Sequence, residues 1–502
     1  MTHYDVVIVG AGTSGSIIAR RLADAGKKTL IVEAGGDNRR ADVQDVGRLN
    51  QLWHGDADWD YFTVPQPHAA DRRIHLPRGK VLGGSHSLNA AIWVRCAPAD
   101  FDGWAAAGAE GWAWSDVEPV YRRIERWAGT PSPLRGTDGL LPVEENQPMH
   151  PVQESIIAAA VEEGLPLNSD YNGESIEGVS RQQVTIEDGD RVSTWDAYAQ
   201  PAVSAGRLDV RTGAAVLRVV FDGTRATGIE VYGPDGSETI TADEIVLSAG
   251  ALGSAELLLR SGIGPAGDLE ALGIPVVADL PVGENLHDHF LVPVIFGTER
   301  EVEPPQPHRS VTQSHWFWKS DPSLEVPDTQ PITFSVPMLE PDMEPIPWGF
   351  SLMAGIISTK SRGTVKLAST DPADGLLIDP QVFADERDLQ SMLASVEQCR
   401  RVGSRPALAE EWGAREVYPG PGVTGEALTN YVRERVITYH HQVGTCRMGT
   451  DARAVVDPTL RVRGITGLTV ADASVMPTIT TGNTNAPSAV IGEKAAEFLL
   501  AD

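Results

Sequence analysis

An α/β fold of at least two lobes, α+β overall, is predicted by three features of the sequence. The chain has 502 residues, beyond the roughly 250–300 that a single core accommodates. It opens on a strand, a glycine-rich turn, a helix and a second strand. A later stretch, 210–250, reads as alternating strands joined by Gly and Asp-Gly turns.

The first element is "YDVVIVG", a β-branched run suited to a buried parallel strand. "AGTSGS" and "IIARRLADAG" follow. There Ile18 and Leu22 lie four apart, with Ala19 and Ala23 on the same face, and Gly26 is placed to end a helix. "KKTLIVEAGG" is the second strand and closes at Glu33. Gly10, Gly12 and Gly15 stand in G-x-G-x-x-G register. Gly10 makes the tight turn, Gly12 lets the backbone approach a pyrophosphate, and Gly15 permits close helix–strand packing. The helix start offers unpaired N–H groups to phosphates, and Glu33 can accept from ribose hydroxyls. This is a Rossmann-like dinucleotide unit. The acid disfavours NADP but leaves NAD and FAD open.

Composition narrows the rest. Hydrophobic content of 41% with mixed charge fits a globular protein. A formal charge of −28 repels phosphate backbones and anionic lipid, so neither nucleic-acid nor membrane partners are expected. No apolar run reaches the ~18 residues of a spanning helix. The start reads as a strand rather than a leader, and Cys96, Cys399 and Cys446 are too few and scattered for a disulfide framework. A cytoplasmic location is the expectation.

Near the other end stand "ITYHHQVGTCRMG" and "PTITTGNTNAPSA". Adjacent histidines with Cys446 five residues on are not zinc spacing, so no metal is expected. Cys446 reads as buried filler. In Asn-Thr-Asn an Asx-type turn opening the last helix suits Asn485. "HLPRGKVLGGSHSLNAAIWVR" has a glycine-dense centre through which backbone can approach a flat ring.

Together with "SAGALGSAELLLRSGIGP", "PVGENLHDH" and "VADASVMPTITTGNTNAPSAVIGEKAA", these motifs make the sequence resemble the glucose-methanol-choline (GMC) oxidoreductases, FAD-dependent alcohol oxidases and dehydrogenases. The matches run through nearly the whole chain. The resemblance implies FAD, with Glu33 on the adenosine ribose. It also implies Thr13, Ser14, Ala34, Arg78, Val81, Gly84, Ser85, Asn89, Ala90, Val216, His440, Asp472, Ala473 and Thr484 as cofactor-binding residues, Asp472 near the ribityl and phosphate groups. It implies a Rossmann-like FAD-binding domain from 1–145, 205–290 and 440–502, and a discontinuous substrate domain, an antiparallel sheet with helices, from 146–204 and 291–439. The proline-rich stretch 297–331 reads as a long loop over the pocket mouth.

Two departures matter. Ala255 stands where proline is common, a minor change. Leu88 occupies the place where some members attach FAD through histidine, with His86 two residues earlier, so FAD is expected to be non-covalent.

The resemblance makes His441 the base that takes the alcohol proton and Asn483 its partner on the substrate oxygen. An imidazole suits the task because its ordinary pKa lies near ~6.5. Consecutive residues of an extended segment point oppositely, so only one of the two histidines is expected to face the flavin, with His440 packing behind the ring. The expected reaction takes a primary alcohol to the aldehyde, with O2 or a quinone as acceptor, in a monomer or homodimer. Tryptophans in "SHWFWKS" and "PIPWGF" read mainly as core or interface. Where they line the pocket, small aromatic or heteroaromatic alcohols, pyridoxine-like or hydroxymethylfurfural-like, are expected. Choline-type and other aliphatic alcohol dehydrogenases, FAD-containing hydroxynitrile lyases and NAD-linked dehydrogenases are the competing classes.

Overall fold

A computed structural model describes residues 3–146, 148–233, 236–306 and 308–501. Two seven-stranded sheets organise them. In the first, His3–Val9 lies between Thr29–Val32 and Gly236–Leu247, all parallel, with Asp209–Arg211 outside Thr29–Val32 and Leu468–Val470 on Gly236–Leu247. Val6, Val7, Ile8 and Val9 are all buried, as a strand covered on both faces requires. Ala215–Asp222, Arg225–Gly233 and Gly236–Leu247 form an antiparallel meander. Its second Asp-Gly turn begins at Asp235, which lies outside the described residues.

Helix Thr13–Asp24 buries Ile17, Ile18, Ala19, Leu22 and Ala23 against this sheet, and its C-terminal cap, Ala25, leads into Gly26 at φ +80°. The closing helix Asn485–Ala501 packs across it. At the crossing, a Cβ on Gly492 would lie 2.9 Å from the Ser14 Cα.

The second sheet is antiparallel, in the order Arg415–Tyr418, Phe290–Gly297, Gly349–Ile356, Ile332–Phe334, Ser314–Phe317, Gly178–Arg181. Ile437–Thr438 joins it on the start of Phe290–Gly297. Side chains alternate along each strand. Phe290, Val292, Val294 and Phe296 share a core with Phe350, Leu352, Ala354 and helices Pro151–Glu162 and Glu386–Gly403. Leu291 and Met353 point the other way, toward the first lobe.

Two expectations change here. Stretch 297–331 is not one loop: Ser314–Phe317 is an inner strand, with buried side chains and a backbone paired to both neighbours, and no residue of the stretch lines the main cavity. Trp316 is wholly buried in the second core, in line with the reading of these tryptophans as core, and Trp348 is 41% exposed; neither lines the main cavity. Trp195–Ala199 and Gln200–Ser204, placed above with the substrate domain, bury Trp195, Tyr198 and Ala202 in the core of the first sheet.

Candidate active site

Between the two sheets runs a cavity of about 380 Å³. Every cofactor or catalytic residue named from the sequence lines it except Gly15 and Val81. Gly15 is a packing position: a Cβ there would lie 2.1 Å from the Gly10 carbonyl oxygen. Val81 is buried against Val43 and Leu52 rather than facing the cavity.

At the cavity's N-terminal end the chain is shaped to leave room. Gly10 has φ +100°, and a Cβ on it would meet the Ser248 carbonyl oxygen at 2.5 Å. A Cβ on Gly12 would have only the Gly84 Cα near it, at 4.0 Å. Gly12 also precedes Thr13–Asp24 without a side-chain cap, so the first-turn N–H groups are available. Glu33 is buried, and its two oxygens accept from Ala11 N–H and Gly35 N–H, each at 2.9 Å. Burial pushes its carboxyl up from the ordinary range.

Asp472 caps the short turn Ala473–Val475. Its oxygens accept from Ser474 N–H (2.8 Å), Gly250 N–H (2.8 Å) and the Ser254 hydroxyl (2.5 Å), tying the turn Ala473–Val475 to helix Gly250–Arg260. Asn485 accepts from the Thr13 hydroxyl at 2.6 Å, and its buried Nδ2 has no partner. The open backbone at Gly12, the uncapped helix start and this orphaned amide fit a dinucleotide's phosphates and polar edges. His86 lies off the cavity. Its Nε2 contacts the Thr185 hydroxyl at 2.9 Å and its Nδ1 accepts from Thr194 N–H at 3.2 Å, while Leu88 lines the cavity.

At the other end His441 and Asn483 meet. Asn483 Nδ2 lies 3.2 Å from His441 Nε2, and Asn483 Oδ1 accepts from Gln330 Nε2 at 3.0 Å. His441 Nδ1 lies 3.0 Å from Nδ1 of His289. The His441 ring stacks on Tyr439 at 4.7 Å and stands edge-on to His289, at 89°. Asp288 fixes the segment, since one of its oxygens accepts from both His289 N–H (2.8 Å) and His441 N–H (2.9 Å). The other accepts from Thr438 and Gln442. Burial, then repulsion from His289, His440 and Arg78, holds His441 well below the ordinary histidine range.

Both histidines line the cavity, as the assignment of His440 to the cofactor and His441 to the substrate requires. His440 has φ +68°, so the segment is not extended there and successive side chains do not diverge. Its carbonyl accepts from Arg78 at 2.5 Å and its ring packs edge-on to Trp53. Gln330, Asp288, His289 and Tyr439 were missed from the sequence. "ENLHDH" held two of them but gave no sign of the segment it would grip.

Apolar side chains complete this end: Leu291, Ile332, Phe334, Met338 and Met353. The second sheet contributes no carboxylate to the lining. Cys446 is buried, and burial pushes its thiol up. Among the described residues one His/Asp group, His54, Asp60 and His75, has ligand atoms close together. Its imidazoles stack at 3.9 Å, and Asp60 Oδ1 lies 2.7 Å from His54 Nδ1 and 3.1 Å from His75 Nε2.

A dinucleotide cradle that opens onto a buried imidazole–amide pair under an apolar wall defines an oxidoreductase in which a bound cofactor and a proton acceptor share one chamber. Family models described as GMC oxidoreductase match residues 4–291 and 359–492, and the chain belongs to that family. It is 34% identical to an alcohol dehydrogenase [acceptor] of Pseudomonas putida, over 99% of this chain and 96% of that protein. It is 35% identical to an oxygen-dependent choline dehydrogenase of Brucella suis, over 99% and 95%. Among solved structures it superposes on a pyridoxine 4-oxidase of Mesorbium loti with a TM-score of 0.94, at 34% identity and 99% of each chain. The protein is thus a GMC-type enzyme acting on CH–OH donors. No helix among the described residues is long and apolar enough to cross a membrane.

Proposed function

We propose that the protein oxidises a small aromatic or heteroaromatic primary alcohol to the aldehyde, with non-covalently held FAD and O2 as the final acceptor. The observation that carries this reading is the meeting of His441 and Asn483 at 3.2 Å in the cavity, with an uncharged wall beside them. Bound FAD would supply the hydride acceptor. Gly10, Gly12, Thr13, Ser14, Glu33, Ala34, Arg78, Gly84, Ser85, Asn89, Ala90, Val216, His440, Asp472, Ala473 and Thr484 would hold it, with Val81 and Gly15 packing behind.

The substrate hydroxyl displaces the Asn483 N–H from His441 Nε2, which then takes the hydroxyl proton. The Asn483 amide donates to the substrate oxygen without competing for that proton, because Gln330 occupies its carbonyl. Leu291, Phe334 and Met353 exclude water and bury the body of the alcohol. A buried quaternary ammonium would call for a carboxylate beside it, and the second sheet gives the cavity none. That favours an uncharged body over choline. His86, engaged at both ring nitrogens and outside the cavity, supports non-covalent FAD.

We also propose the lobe division read from the sequence, with 195–204 moved to the FAD-binding side on its packing. Solution assembly as a monomer or homodimer and a cytoplasmic location are part of the same proposal.

A panel of aromatic, heteroaromatic and aliphatic alcohols, choline included, tests the reading, scored for hydrogen peroxide and separately for dye reduction. Peroxide formation, fastest with an aromatic alcohol, is expected. Dye reduction without peroxide would replace O2 by another acceptor, and choline as best substrate would overturn the substrate class. Release of a carbonyl from a cyanohydrin, with anaerobic flavin absorbance unchanged by alcohols, would make the protein a lyase.

A further inference from the structure

We propose that His289 is a positioning residue for the base: its bare Nδ1 accepts the Nδ1–H of His441, which selects the tautomer that leaves His441 Nε2 unprotonated toward the cavity. The inference rests on the reading of His441 as the base.

Two imidazole nitrogens 3.0 Å apart need one proton between them. If both carried one they would repel, and if neither did there would be no bond. The choice is made at the opposite edge of the His441 ring. Asn483 Nδ2 can only donate, and it faces His441 Nε2 because Gln330 Nε2 holds the other half of that amide. Nε2 of His441 must therefore be bare and its proton must sit on Nδ1. His289 is then the acceptor, with its own proton on Nε2. His289 is wholly buried, perpendicular to the His441 ring, and its backbone N–H is anchored on the Asp288 oxygen that also holds His441 N–H. The donor order runs from Gln330 through Asn483 and His441 to His289.

An acceptor behind a catalytic histidine orients the ring and stabilises the cation formed on protonation. In the step it serves, the alcohol O–H bond breaks, an N–H bond forms at His441 Nε2, and the Nδ1–H bond to His289 persists in the imidazolium. A neutral ring achieves the orientation without an ion pair, so it does not raise the proton affinity of the base as a carboxylate would. The groups facing His441 are His289, His440 beside it, Arg78 through the His440 carbonyl, Asp288 on its backbone N–H and Tyr439 on its ring face. Those facing His289 are His441, Tyr439, Asp288 and His287. Asp288 is committed to backbone and side-chain donors, which leaves His289 as the group on the Nδ1 side.

The test compares His289→Leu, His289→Asn and His289→Asp in the FAD-loaded enzyme, with His441→Ala alongside, using anaerobic flavin reduction across pH. The leucine variant is expected to lose about 10- to 100-fold in the reduction rate constant, because a buried donor is left unpaired, with KM within about twofold. H289N is the rescue: its amide oxygen can stand where Nδ1 stood and should recover most of the loss. H289D should move the acid limb to higher pH by about one to three pH units. Independently of activity, nitrogen-15 histidine spectra of the holoenzyme should show one ring, absent in H441A, with a protonated Nδ1 and a bare Nε2.

Wild-type rates and pH profiles in H289L and H289D, an H289N no better than H289L, or a protonated Nε2 on His441 would each overturn the proposal. If H289L does not fold, the two polar variants and the wild-type spectrum still decide. An H441A enzyme that reduces its flavin normally removes the base reading itself. Loss in H441A with no response at His289 removes only this inference.

Discussion

The two ends of the cavity are built on opposite principles. At the nucleotide end the chain withdraws: Gly10, Gly12 and Gly84 leave out side chains, and the contacts on offer are backbone N–H groups and a helix start. At the reaction end it crowds in. Side chains from segments 288–291, 330–334, 439–441 and 483 meet in a buried chain of hydrogen bonds under an apolar wall. The first end is therefore sensitive to atoms added and the second to polar atoms removed.

That contrast can be broken experimentally, starting where the effect is greatest. In Gly15→Val the new Cβ would lie 2.1 Å from the Gly10 carbonyl oxygen, a backbone atom that cannot step aside. The expected product is insoluble or colourless protein, read from the ratio of flavin to protein absorbance. Gly12→Ala should keep the fold and the melting temperature of the FAD-free protein and lose FAD affinity instead, because only the Gly84 Cα lies near the added methyl, at 4.0 Å. Equal loss of fold in both would erase the distinction between packing and ligand-facing glycines.

Asn483→Ala should slow anaerobic flavin reduction by about 10- to 100-fold while FAD stays bound. Retained speed would take the amide out of the reaction end. Phe334→Ala should lower kcat/KM for aromatic alcohols by about tenfold and leave small aliphatic alcohols nearly unaffected. A uniform loss would mean that the side chain supports the sheet rather than the substrate. Trp348→Ala, on an exposed ring away from the cavity, should change neither constant by more than about twofold. The smallest effect expected is none at all: burial keeps His441 neutral well below the ordinary range, so the reduction rate should stay level from about pH 8 down through ~6.5. The base is lost only at lower pH, on protonation. A decline centred near ~6.5 would show an unperturbed imidazole.

The nucleotide end is legible in the sequence because its requirements are local. A strand, three glycines at fixed spacing and a terminal acid follow one another within about thirty residues, and each has a backbone reason. His441 and Asn483 were reached only through family resemblance, since nothing in their own neighbourhoods says that segments 42 residues apart will touch. The substrate wall left no trace. Leu291, Ile332, Phe334 and Met353 are ordinary strand residues whose outward face becomes a pocket only when the second sheet docks. Alternation is no guide to where His440 points, because it assumes an extended backbone and φ +68° is not extended. Stretch 297–331 reads as a loop because of its six prolines and polar character, while four residues between them, Ser314–Phe317, pair inside the sheet.

The central claim is that His441 takes the alcohol proton. Its most direct test is rapid anaerobic mixing of wild-type and His441→Ala enzymes, both loaded with FAD, with the best alcohol found. Flavin absorbance should bleach in the wild type and about 10²- to 10⁴-fold more slowly in the variant, at equal FAD content. Bleaching at a nearly wild-type rate in the variant would contradict the account.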